Sequence, residues 1–445
     1  MLRTRKGEEP RLMKKLLWGG IVLVVIVGAL ALWAQRALQI PERLAAVPEA
    51  MTMRAIVPGI PNARYWVGIE IDTFARDVLA ARERELAFRA STGQTGELPP
   101  ADLLALSGGG DKGAFGSGLL NGWTASGTRP TFKAVTGIST GALIAPFAFL
   151  GPDYDDVLKE VFTTIGPEDI LTPRGVLAVI ENDGMADNQP LWGLISKHVD
   201  EALLDAIAEQ HANGRSLLIA TTDLDARQPV IWNMGNIAES DAPGALNLFR
   251  SILLASAAIP GAFPPAMIRV EVDGVPYDEM HVDGGASAQV FLYPPSLAVA
   301  MRTLGAEVNR TGRVYVIRNS WLESTWDPPN RRTIDIAGRA ISSLIQTQGF
   351  GDLYRIYLTA QRDGFDFNLA FIGSEFQYPL HEQFDTEFMN ALYDYGYKLA
   401  LEGYPWKKLP PGLESAPLAF EEAAATPPAP EPALEVPPAA TEAPR

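Results

Sequence analysis

Between Leu103 and about Tyr404 the chain alternates short apolar runs with longer stretches of helical period. Leu103–Leu106, Ala134–Thr136, Ser216–Thr222, Pro229–Asn233 and Arg313–Arg318 are brief and β-rich, and turn-forming or polar residues bound them, so they read as strands. Phe115–Ala125, Gly141–Leu150, Leu191–Glu209, Leu246–Ala258 and Thr333–Gln348 fall between them and read as helices. Strand then helix, repeated, predicts an α/β domain with a mostly parallel central sheet. Val272-Asp273-Gly274-Val275 predicts a tight hairpin.

Outside this region the pattern changes twice. Residues 1–15 are basic, with Arg3, Arg5, Lys6, Arg11, Lys14 and Lys15. Residues 16–34 carry no charge, and nineteen residues at helical rise approach the thickness of a bilayer core. A single-pass anchor is the expectation, with the N-terminus cytoplasmic and the rest of the chain on the exported, periplasmic or extracellular side. A cleaved signal ending near Ala29-Leu30-Ala31 is the competing reading, and it too exports the body, as a secreted or periplasmic protein. Residues 35–100 look like a connector with one helix over Thr73–Arg89, whose apolar stripe is Phe74, Val78, Leu79 and Leu86. The main domain is expected over 101–408, with its core at 103–318. Residues 409–445 turn to Pro, Ala and Glu, too poor in apolar surface to fold, and predict a disordered tail.

Composition narrows the chemistry. In 445 residues, 47% are hydrophobic and 20% charged, which suits a globular core. The net charge of −16 argues against nucleic acid as a partner, because phosphate binding needs a basic surface. The chain has no cysteine, so thiolate nucleophiles, disulfides and cysteine zinc sites are excluded. No histidine pair has metal-ligand spacing, and neither a metal nor a cofactor is expected.

Three glycine-framed elements remain. Gly108-Gly109-Gly110-Asp111-Lys112-Gly113 follows a strand and opens a helix, where bare backbone N–H groups and the helix dipole stabilise negative charge. Its G-x-G-x-x-G spacing is also a dinucleotide fingerprint, which wants an acidic residue at the end of the next strand. That strand ends instead in Gly137-Ile138-Ser139-Thr140-Gly141, the pattern of a nucleophile elbow that exposes a serine on a strained strand-to-helix turn. The bland alternative is a glycine turn with an idle serine. Asp283-Gly284-Gly285 offers a carboxylate between an apolar strand and two glycines, able to take a proton from Ser139 if partly desolvated, or merely to cap a turn.

With the segment Ala255-Ser256-Ala257-Ala258-Ile259-Pro260-Gly261-Ala262-Phe263-Pro264-Pro265, these elements resemble the patatin-like phospholipase family across about Leu103 to Arg318. The resemblance implies a three-layer α/β/α sandwich, a lipid or acyl-ester substrate and a Ser-Asp dyad. It makes Ser139 the nucleophile and Asp283 the base, and assigns Gly108, Gly109, Gly110, Asp111, Lys112 and Gly113 to the oxyanion loop, the N–H groups of Gly109 and Gly110 facing the oxyanion. Lys112 falls where the family has a basic residue, although it also reads as a solvated lysine. A Ser-His-Asp hydrolase is the enzymatic alternative, for which His381 is the only histidine placed after a suitable acid. His198 and His211 read as surface residues of a polar helix. His281 shares a strand face with Asp283, either tuning it or serving the structure. A membrane-tethered scaffold without catalysis is the remaining alternative.

Overall fold

The computed structural model describes residues 18, 25–29, 43–175, 182–306, 310–323 and 328–413. Among the described residues nine strands form one sheet: β1 (Arg64–Trp66), β2 (Ala101–Leu106), β3 (Ala134–Gly137), β4 (Ser216–Asp223), β5 (Gln228–Asn233), β6 (Ala266–Val272), β7 (Val275–Asp283), β8 (Gly312–Trp321) and β9 (Phe365–Ile372). Their order is β1-β5-β4-β3-β2-β8-β9, with the β6–β7 hairpin attached through β7 to β4. The run from β4 to β9 is parallel, while β1, β5 and the hairpin pair antiparallel. The hairpin turns at Asp273 and Gly274, both with positive φ, as the sequence predicts.

Helices cover both faces, as buried parallel strands require. The described helices used below are α1 (Ile71–Ser91), α2 (Gly113–Ala125), α3 (Thr140–Leu150), α4 (Gln189–His198), α5 (Glu201–Ala212), α6 (Ala245–Ser256), α7 (Leu297–Thr303), α8 (Thr333–Asp363) and α9 (Thr386–Leu401). Strand alternation sends Leu104, Leu106, Tyr315 and Ile317 into the core under α2, α3, α6 and α9. Leu103, Ala105, Val314 and Val316 turn the other way, onto Leu353, Ile356 and Ala360 of α8. Leu218 and Ile231 meet Phe74 of α1 and Leu297 and Met301 of α7 on that same second side. The result is the mixed α/β architecture the pattern predicted, a mostly parallel sheet between two helical layers.

Several boundaries differ for local reasons. The helix expected over Leu191–Glu209 is two helices, because Asp200 caps the second by accepting the Leu203 N–H at 2.9 Å. Helix α8 runs on to Asp363 and stops where Gly364 adopts a left-handed conformation. The stretch expected as a connector carries the expected helix, α1, and also β1, whose register with β5 sets Tyr65 opposite Ile231. Beyond Arg318, β9 extends the sheet and α9 packs closely on α2, where Gly118 and Gly122 lie beneath the Tyr393 and Tyr397 carbonyls. The tail proposed from 409 onward lies outside the described residues from 414.

The anchor expected over 16–34 requires correction. Among the described residues no helix is long and apolar enough to cross a membrane. Within that stretch only residue 18 and residues 25–29 are described. The single-pass location, with its exported catalytic domain, is therefore not supported.

Candidate active site

Strand β3 ends at Gly137, and the chain turns through Ile138 and Ser139 directly into α3. Ser139 has φ 55° and ψ −126°, a region that costs a residue with a side chain of order 1–3 kcal/mol. The turn is held by the Gly141 N–H on the Ile138 carbonyl at 2.8 Å and by the Ser139 N–H on the Ser256 hydroxyl at 3.0 Å. Gly141 is required by space, since a Cβ there would press on the carbonyls of Leu106 and Ser107 at the end of β2. Elbow and glycine loop are thereby packed against each other.

Asp283 ends β7, opposite Thr221 of β4. Its N–H donates to the Ala258 carbonyl at 2.9 Å. The residue is 4% exposed; its carboxyl accepts the Gly285 N–H at 2.7 Å and lies near enough to the Ser139 side chain to be stabilised by it. Burial pushes it up to about 7, and the Ser139 side chain and the Gly285 N–H pull it part of the way back. Two residues separated by the length of several strands thus come together at the carboxyl end of the parallel strands.

The glycine loop forms the third side. Ser107 and Gly108 are tied down, the Ser107 N–H to the Ile317 carbonyl and the Gly108 N–H to the Gln289 carbonyl, each at 3.0 Å. Asn319 fastens the loop to β8: its N–H donates to the Ser107 hydroxyl, its side-chain amide donates to the Ser107 carbonyl, and its Oδ1 accepts the Gly116 N–H. Gly109 lies so close over the Asn319 carbonyl that a Cβ would collide with it. Gly108 has spent its N–H, whereas those of Gly109 and Gly110 carry no hydrogen bond among the described residues. Asp111 is buried, with its carboxylate accepting the Phe384 N–H, and Gly113 packs against Thr140 and Phe162. Lys112 is half-buried, 3.5 Å from Asp111 and 6.0 Å from the Trp321 ring centre. Gly284 packs on the Ala220 carbonyl.

The histidines lie elsewhere. His211 is only 1% exposed, against the expectation of a surface residue, because its ring packs on Gly235 and faces Arg84. The His198 side chain is largely enclosed too, and burial lowers the basicity of both rings. His281 is fully buried, its Nδ1 at 2.9 Å from the Thr221 hydroxyl and its Nε2 at 3.3 Å from Glu279, so its ring is engaged away from Asp283. His381 is exposed and its N–H donates to Asp385. No histidine hydrogen-bonds to Ser139 among the described residues.

Asp223, Glu279 and His281 bring ligand-type atoms within 4.8 Å of one another. Their chemistry suits an ion-pair network better than a metal. Arg64 already forks onto Glu279 and holds its carboxyl down to about 2, while Asp223 accepts the Asp225 and Ala226 N–H groups. Sequence reasoning gave no role to Ser256, Gln289 or Asn319. Ser256 stood within a recognised segment, but nothing local to Gln289 or Asn319 signals its contact with the loop.

Residues 104–294 match the family model of patatin-like phospholipases. Among solved structures the chain is similar to VipD from Legionella pneumophila, with 12% identity and a TM-score of 0.33 over 68% of this chain and 67% of that one. It is also similar to human GIVD cytosolic phospholipase A2, with 11% identity and a TM-score of 0.30 over 69% of this chain and 54% of that one. No curated protein matches the chain.

Proposed function

We propose that the chain is a serine-dependent lipid acyl hydrolase working through a Ser139–Asp283 dyad. The observation that carries this reading is the buried Asp283 carboxyl, raised to about 7 beside the side chain of a serine held at φ 55°. A base poised near neutrality suits proton transfer to and from an alcohol.

In the proposed reaction the Ser139 Oγ attacks the ester carbonyl while its proton passes to Asp283. The oxyanion is met by the free N–H groups of Gly109 and Gly110, at the start of the turn that leads into α2. Collapse expels the alcohol, which takes the proton from Asp283, and leaves an acyl-enzyme. Asp283 then accepts a proton from water as the water attacks, and returns it to the Ser139 Oγ on release of the acid. Lys112, partly exposed beside the loop, is available to an anionic group of the substrate. The match of residues 104–294 to the patatin-like phospholipase family supports a lipid ester as the substrate class.

Acyl release from a p-nitrophenyl ester and from phospholipid in mixed micelles tests the reading. Wild type should turn over both, and Ser139→Ala and Asp283→Asn should each fall by at least roughly 10³-fold while remaining folded. Retention of activity in either folded variant would overturn it.

A further inference from the structure

The segment Ala255–Pro265 belongs to the recognised pattern but contributes no reacting group to the scheme above. Its first residues are nevertheless bonded to both members of the proposed dyad. Ser256 ends α6 and is fully buried. Its hydroxyl accepts the Ser139 N–H at 3.0 Å and donates to the Ala220 carbonyl of β4 at 2.8 Å. Two residues later the Ala258 carbonyl accepts the Asp283 N–H at 2.9 Å.

We propose that Ser256 is a positioning residue, and that residues 256–258 act as a jig fixing the distance between Ser139 and Asp283. This rests on the dyad reading. An N–H turned inward at a strained φ has no strand or helix partner and needs an acceptor placed for it. Ser256 supplies that acceptor, and its bond to Ala220 fixes the rotamer that does so. Ala220 immediately precedes Thr221, the register partner of Asp283, so the same hydroxyl refers the elbow to β4, the strand that pairs with the base's own. A second consequence concerns the oxyanion: the Ser139 N–H is occupied and so is not a donor to it. Removing the hydroxyl orphans both the Ser139 N–H and the Ala220 carbonyl and lets the elbow relax away from Asp283.

The experiment compares wild type, Ser256→Ala and the near-isosteric Ser256→Cys, whose thiol is a weak acceptor, in the full chain. A fluorophosphonate probe gives the labelling rate and the final labelled fraction, and a short-chain ester gives kcat, KM and the pH midpoint. Ser256→Ala should label roughly 10- to 100-fold more slowly, with kcat lowered, KM unchanged, an unchanged pH midpoint and a full final labelled fraction. Ser256→Cys should fall between the two, and it decides the matter if the alanine variant does not fold. A wild-type labelling rate in the folded variants overturns the proposal, as does a reduced labelled fraction that reacts at the wild-type rate, which is the mark of a merely structural role. Wild type that takes no label removes the dyad and this proposal together, whereas labelled wild type with an unchanged Ser256→Ala removes this proposal alone.

Discussion

Replacing Asp283 by Asn should make the protein more stable as the pH rises, relative to wild type. Burial raises the Asp283 carboxyl from its ordinary 3.8 to about 7. Between those values the folded protein keeps a proton that the unfolded chain has lost, so the group's contribution is full below about pH 4 and is lost as the pH rises through 7. A difference of about 3 units at 1.36 kcal/mol each corresponds to roughly 4 kcal/mol between pH 4 and pH 8. Asn cannot ionise and escapes this penalty, while losing part of the hydrogen bonding to Ser139 and Gly285 at every pH. The clean quantity is therefore a double difference: stability of Asp283→Asn minus wild type, at pH 8 minus pH 4. Other titrating groups cancel in it. Thermal unfolding followed by circular dichroism should show the variant gaining up to roughly 5 °C on wild type across that range. Parallel curves for the two proteins would refute a buried, proton-holding carboxyl at this position.

Three further outcomes follow from the same geometry. The kcat/KM for a neutral ester should fall tenfold per pH unit below about 7, as the carboxylate is protonated, and a profile flat to pH 5 would speak against Asp283 as base. Gly109→Ala, which drives a methyl group onto the Asn319 carbonyl, should cut ester hydrolysis by at least roughly 100-fold and lower the melting temperature, as read by parallel activity and calorimetry. Arg64→Met leaves the buried Glu279 without its cation and should cost about 3–5 kcal/mol in urea unfolding, whereas the double change Arg64→Met, Glu279→Gln should recover part of that loss.

What was legible in the sequence was local. Strands β2 and β3 could be read because each is a short apolar run ending in glycines, and the turns that follow them carry the glycine loop and Ser139. The β6–β7 turn was readable because Asp-Gly between valines fits a two-residue hairpin. What escaped was non-local or too short to have a period. Strand β1 is three residues long, and only its pairing with β5 and the contact of Arg64 with Glu279, more than 200 positions away, make it part of the sheet. His211 sits on a helix whose acidic side, with Glu201, Asp205 and Glu209, gives it a polar sequence, yet its own ring turns inward. The apolar stretch 16–34 shows the opposite failure, since length and hydropathy suggested a span, whereas no helix among the described residues is long and apolar enough to cross a membrane.

The account stands on one hydroxyl being the nucleophile, and the most direct measurement is the site of covalent labelling. After reaction with a fluorophosphonate and digestion with trypsin, the peptide between Lys133 and Lys159 contains a single serine, Ser139. Mass spectrometry should find the adduct on that residue in wild type and none in folded Asp283→Asn at matched exposure. An adduct on another serine, or undiminished labelling of Ser139 when Asp283 is replaced, would contradict the dyad.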